Sequence, residues 1–149
     1  MKLLIQRVSE ASVTIDNDTV GAIEKGFMVL VCAEPGDSHE DVKFLARKTL
    51  ALRIFSDDAG KMNLSIGDVG GAVLAISQFT LAARWRKGNR PGFTDAAPPK
   101  EGERLFNAYV EALRSGGIAV ETGRFGAEMQ VALVNDGPVT LWIDGKNPR

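Results

Sequence analysis

Two short segments hold groups that could do chemistry, one offering hydroxyls and backbone donors, the other carbonyl acceptors. In Ser77-Gln78-Phe79-Thr80-Leu81, two hydroxyls and an amide follow the apolar stretch Val73-Leu74-Ala75-Ile76. Sites form at strand ends because backbone donors and side-chain hydroxyls become free there. The plainer reading, which spacing alone favours, is a strand that surfaces and needs polar residues. Asn135-Asp136-Gly137-Pro138-Val139-Thr140 lies between two apolar runs and reads as a tight turn that admits a cis bond before Pro138. A Gly-Pro pair presents its carbonyls in a fixed direction with no side chain in the way.

Other chemistries lack the residues they need. The single histidine, His39, sits beside an expected helix cap and reads as solvated surface, so Ser-His-Asp and Cys-His arrangements would depend on one poorly placed imidazole. The single cysteine, Cys32, lies in the apolar run 27–33 and reads as a buried, inert thiol that excludes an intrachain disulfide. Zinc needs Cys and His clusters, and neither the P-loop pattern nor the dinucleotide glycine fingerprint occurs. Asp57, Asp58 and Asp68 fall in turns, where aspartate serves the backbone more often than a cation. An enzyme built from this chain works without a metal, a cofactor or a histidine base.

The chain has 149 residues, 44% apolar and 25% charged, which fits one soluble domain spanning 1–149 with a core of its own. A net charge of −1 offers nucleic acid no overall attraction, so any RNA contact has to come from a local patch, and no DNA partner is expected. The one candidate patch is Arg84-Trp85-Arg86-Lys87-Gly88-Asn89-Arg90, either a solvated surface run or a phosphate-binding stretch with an aromatic that can stack on a base. The first residues turn polar too soon for a signal peptide, and the apolar runs fall short of the ~20 residues that cross a bilayer. The expected location is the cytosol, away from membranes.

These groups must be held by an α+β scaffold. Alternation over 3–15 predicts a half-buried strand, returned by Asp16-Asn17-Asp18-Thr19 through 20–23, and Gly26 opens a strand covered on both faces. Ser38 caps a helix with Asp41 three residues on, and its apolar face holds Val42, Leu45, Ala46, Thr49, Leu50 and Leu52. A turn at 57–60 follows, then a buried strand over 72–79. Residues 82–99 form a long connection, and a second helix begins near Pro99 and ends at Ser115-Gly116-Gly117. Three short strands, 118–122, 129–135 and 139–143, close the chain. The order argues for an antiparallel or mixed sheet rolled towards a barrel, with two helices.

In combination the two segments resemble the D-aminoacyl-tRNA deacylase family, whose marks are a Ser-Gln-Phe-Thr-Leu strand end and an Asn-x-Gly-Pro-x-Thr turn. The resemblance runs through Ile5-Gln6-Arg7-Val8-Ser9-Glu10-Ala11-Ser12-Val13, Gly60-Lys61-Met62-Asn63-Leu64-Ser65, Ala96-Ala97-Pro98-Pro99 and Val120-Glu121-Thr122-Gly123-Arg124-Phe125-Gly126-Ala127. It departs from the commoner pattern at Ala82-Ala83-Arg84-Trp85, where Tyr and Asp are more usual, and this bears on tRNA contact.

The resemblance implies a homodimer of barrel-like subunits whose active sites lie at the subunit interface and whose substrate is aminoacylated tRNA. Gly137 and Pro138, joined by a cis bond, would reach into the partner's pocket, accept hydrogen bonds from the substrate's α-ammonium and crowd an L side chain. Glycyl-tRNA would pass the same filter. Ser77 and the Phe79 N–H would lie near the ester carbonyl, with Gln78 shaping the pocket. Thr80 is a candidate nucleophile, but no base is evidently placed to activate it, so a structural role is preferred; the ribose hydroxyl beside the ester could assist water instead. Arg7 resembles the arginine that orients the turn, Asn135 and Thr140 belong to the turn itself, and Met129 would line the pocket. Apart from the resemblance, the phosphate-binding reading of the basic stretch, set against solvated surface, gives Arg84, Arg86, Lys87 and Arg90 as the tRNA contacts. The competing readings are a non-catalytic tRNA-binding module on this fold and a hydrolase of small D-amino-acid esters.

Overall fold

The computed structural model describes residues 1–147. Strands β1 (Lys2–Ile15), β2 (Asp18–Ile23) and β3 (Gly26–Cys32) precede helix α1 (His39–Ala51). A small hairpin, β4 (Phe55–Ser56) and β5 (Met62–Leu64), leads to β6 (Ala72–Ser77) and a 3-10 turn (Phe79–Ala82). Helix α2 (Pro99–Ser115), β7 (Val120–Thr122) and the long β8 (Gln130–Asp144) complete the fold.

Local chemistry sets most of these boundaries. The β1–β2 hairpin turns on Asp16 and Asn17, whose φ values of 48° and 66° match a two-residue turn with both central residues left-handed. Ser38 and Asp41 form a reciprocal capping box at the start of α1: the Ser38 hydroxyl accepts from the Asp41 N–H at 3.2 Å, and the Ser38 N–H donates to the Asp41 carboxylate at 2.8 Å. Pro99 occupies the first turn of α2, where its missing N–H costs nothing. The turn at 57–60 is flanked by two short strands that the sequence reading did not include, and the Asp57 carboxylate accepts from the Ala59 and Lys61 N–H groups.

The sheet is mixed, in the order β2-β1-β3-β6-β7, with β8 also paired to β1. Since β8 runs along β1 from Lys2 to Thr14, β2 and β3 share the other edge of β1 end to end. β3, β6 and β7 are mutually parallel, while β1 is antiparallel to β2, β3 and β8. The sheet curls until β2 comes back to β7: a Cβ added to Gly21 would lie 2.8 Å from the Thr122 carbonyl oxygen.

Both faces of the central strands are buried. Because side chains alternate, Phe27, Val29 and Val31 face one core, which α1 and α2 cover with Leu45, Leu105, Tyr109 and Leu113. Met28, Leu74 and Ile76 face a second core inside the curl, with Val8 and Val13 from β1. Burial on both sides accounts for the near-continuous apolar run in β3.

The end of the chain departs from expectation. The segments 129–135 and 139–143 are not two strands joined by a tight turn but parts of one strand, β8. Val8 pairs with Asn135 and Gln6 with Thr140, so two steps along β1 (8 − 6) face five along β8 (140 − 135). A hairpin turn would reverse the chain. Here the direction continues, and the four residues 136–139, opposite the single residue Arg7, are pushed out as a large bulge.

Candidate active site

β6 ends at Ser77, and the chain leaves the sheet at once. The Gln78 N–H extends the ladder by one bond to the Val31 carbonyl, 2.7 Å away, and the backbone then turns into the 3-10 helix at Phe79. For the Phe79 N–H, next in line, no acceptor is found among the described residues. Ser77, Gln78 and Phe79 open onto a cavity of about 250 Å³. It is lined as well by Phe125, Gly126, Ala127 and Met129 of the β7–β8 connection and by Gly102 and Phe106 of α2. A Cβ added to Gly102 would lie 3.4 Å from the Phe125 ring, in ordinary contact with it. Gly123 leaves room for Met129, since a Cβ there would fall 2.3 Å from the sulfur.

The lining is nearly without ionisable groups. Among the described residues its only titratable side chain is Cys32, whose thiol is pushed up from its ordinary value by burial first and by the nearby Glu34 next. The Cys32 S–H points to the Ala33 and Phe79 carbonyls at 3.4 and 3.6 Å. His39 is exposed at the start of α1, with Nε2 2.6 Å from Arg104, and takes no part in the lining. Thr80 also stays outside it: its Oγ1 accepts a 2.6 Å bond from the Gln78 side-chain amide, which cannot serve as a base.

Residues 135–140 form a second, separate construction. The peptide bond between Gly137 and Pro138 is cis, and Gly137 has φ 130°. An added Cβ there would meet Val139 Cγ2 at 2.9 Å and Arg7 Nη2 at 3.0 Å, so only glycine fits. Arg7 reaches across from β1, donating from Nε to the Asp136 carbonyl at 3.0 Å and from Nη1 to the Ile54 carbonyl at 2.6 Å. Asn135 closes the base of the bulge, its Nδ2 donating to the carbonyls of Arg7 and Val139, both at 3.0 Å. Thr140 Oγ1 donates to Asn135 Oδ1 at 3.1 Å and so fixes the amide's orientation.

One chain does not bring the two constructions together. None of Arg7, Asn135, Gly137, Pro138 and Thr140 lines the cavity. Arg7 is paired with Phe27 and Ser77 with Val31, four residues further along β3, a separation of about 13 Å at the usual strand rise.

The basic stretch is also not uniform. Arg84 is held by Asp95, with Nε 2.6 Å from Oδ2 and Nη2 bonded to Oδ1, and this pairing keeps the Asp95 carboxyl below its ordinary range. Arg86, Lys87 and Arg90 are exposed and make no ion pair among the described residues. Asp95, Ile54, Gly102 and Phe106 carry no site role legible in the sequence. For Gly102 there was a signal: glycine inside a helix costs about 1 kcal/mol relative to alanine and so stands out at that position.

Residues 4–144 match the family described as D-Tyr-tRNA(Tyr) deacylase. The chain is 59% identical over 145 residues to a D-aminoacyl-tRNA deacylase of Dinoroseobacter shibae, covering 97% of this chain and 100% of that protein. It is 58% identical over 144 residues to one of Ruegeria pomeroyi, covering 97% and 99%. A solved structure named c-Myc DNA unwinding element binding protein superposes with a TM-score of 0.90 at 38% identity, covering 97% of this chain and 98% of that one. With the family match spanning nearly all of the fold just described, the chain belongs to the D-Tyr-tRNA(Tyr) deacylase family.

Proposed function

We propose that this protein hydrolyses the ester joining a D-amino acid to the terminal ribose of tRNA, releasing free D-amino acid and tRNA. Beside the family match, the observation that supports it best is the division of the site into a cavity with donors at Ser77 and Phe79 and a rigid, exposed Gly-Pro bulge elsewhere. In a homodimer, the bulge of one subunit enters the cavity of the other. Each cavity then gains two carbonyl acceptors, from Gly137 and Pro138, that its own chain cannot supply.

An aminoacyl ester is already activated, so positioning water and stabilising an oxyanion suffice. Water attacks the ester carbonyl, and the oxyanion that forms is received by the Phe79 N–H beside the Ser77 hydroxyl. Collapse expels the ribose oxygen, which takes up the proton that the attacking water gives off. With no base in the lining, the neighbouring ribose hydroxyl relays that proton. The Gly137 and Pro138 carbonyls accept from the substrate's α-ammonium, and their backbone fills the space an L side chain needs. A D side chain points away, and glycine, having none, passes as a second substrate. With charged tRNA as its substrate, the protein works in the cytosol.

The test is deacylation of D-tyrosyl-, L-tyrosyl- and glycyl-tRNA by protein treated with a chelator. Loss of the D-tyrosyl and glycyl esters alone is expected. Equal loss of both tyrosyl esters would overturn the chiral filter, and loss of none would leave a non-catalytic tRNA-binding module.

A further inference from the structure

Of the seven large apolar side chains exposed among the described residues, three lie within 79–93: Phe79 is 57% exposed, Trp85 70% and Phe93 36%. They belong to one fixed construction. Phe93 meets Phe79 edge-on with ring centroids 5.1 Å apart, which ties the loop to the cavity mouth. Arg84 and Gly92 pair as a β-bridge with bonds of 2.8 and 3.0 Å, and Arg84 is also doubly bonded to Asp95. This clasp holds a tip that turns at Gly88, φ 75°, and bears Trp85 with Arg86, Lys87 and Arg90. The Arg86 guanidinium lies 6.0 Å from the Trp85 ring centroid, and most of the indole is exposed.

Cations interleaved with open aromatic faces suit a single-stranded nucleic acid, whose bases stack while its phosphates are neutralised. A peptide surface has no comparable regular charge, and the chain's net charge of −1 makes the concentration of positive charge here local. We infer that the loop 84–92 is a preformed platform for the unpaired 3′ end of the RNA, with Trp85 stacking a base upstream of the nucleotide in the cavity. Arg86, Lys87 and Arg90 hold its phosphates, and Arg84 and Asp95 act as positioning residues that never touch RNA. The inference rests on the deacylase reading and extends it from the ester to the strand that bears it.

The test compares D-tyrosyl-tRNA with D-tyrosyl-adenosine, which has the ester but no upstream nucleotide. Trp85→Ala is expected to lower kcat/KM on the tRNA about ten-fold more than on the adenosine ester, chiefly through KM, with Trp85→Phe recovering most of the loss. Arg86→Ala should reduce the dependence of log KM on log salt by about 0.7, the contribution of one single-strand phosphate. Asp95→Asn should raise KM for the tRNA without changing that slope. Equal losses on both substrates in Trp85→Ala, or no loss on tRNA, would overturn the platform and leave the deacylase reading standing. Failure of the unaltered protein on both substrates would overturn the deacylase reading itself.

Discussion

Arg7 in the middle of β1 donates from Nε to the carbonyl oxygen of Asp136, 3.0 Å away at the leading shoulder of the bulge. Its Nη1 donates at the same time to Ile54. One guanidinium, its side chain only 11% exposed, thus ties the Gly137-Pro138 bulge both to β1 and to the segment at Ile54. An ammonium cannot span both carbonyls in this way. Arg7→Lys is therefore expected to fold but to lose about ten-fold or more in kcat/KM on D-tyrosyl-tRNA, in keeping with bonds from charged donors. Stopped-time deacylation beside a thermal melt checks this, since an unaltered rate would detach Arg7 from the site.

Thr80 is expected to be dispensable as a nucleophile, because its hydroxyl is engaged by Gln78 outside the cavity lining. Thr80→Val should retain more than about a tenth of the activity, since catalysis by a covalent nucleophile would leave far less. Mass spectrometry during single turnover should find no aminoacyl-enzyme; a trapped adduct on Thr80 would reverse the assignment.

The pH profile should lack any limb that belongs to the protein. Burial raises the Cys32 pKa, so the thiol stays protonated through the neutral range, and no other titratable side chain lines the cavity. Between about pH 6 and 8, kcat/KM should therefore follow only the substrate's own ionisation, and identically in Cys32→Ala and His39→Gln. An inflection abolished by either substitution would show a base that the geometry does not provide.

Stability has a polar hinge in the helix layer. The hydroxyls of Thr49 and Tyr109 meet at 2.8 Å between α1 and α2, both fully buried, and burial raises the Tyr109 phenol far above its ordinary range. Thr49→Val should cost about 1–3 kcal/mol by orphaning the phenol, whereas adding Tyr109→Phe should recover part of the loss. Denaturant melts of the two single variants and the double decide it, and strict additivity would mean that the bond contributes nothing.

The helices, the cap at Ser38 and the strand from Ala72, which stops at Ser77 and not at Phe79, were legible because each is set by neighbours in sequence. The bulge was not. Asn135-Asp136-Gly137-Pro138 has the composition of a reversing turn, and only the pairing of both flanks with the same strand, β1, shows that the chain runs on. The clasp between Arg84 and Asp95 was hidden for a similar reason, since it joins residues eleven apart in irregular chain. It pairs Arg84 with a carboxylate, a distinction from Arg86, Lys87 and Arg90 that residue type alone could not make. Neither could sequence place Gly137 and Ser77 in different regions of one subunit, because their separation is a property of sheet register.

That separation provides the most direct test. A chain with Gly137→Ala and a chain with Phe79→Pro, which removes the backbone donor, should each lose most activity on D-tyrosyl-tRNA as a homodimer. Mixed and allowed to exchange subunits, they form dimers in which one cavity and one bulge, from opposite chains, are both intact. Recovery to about a quarter of the unaltered activity is expected from random pairing of two-fold dimers. Confirmed exchange with no recovery would contradict an active site assembled from the cavity of one subunit and the Gly-Pro bulge of the other.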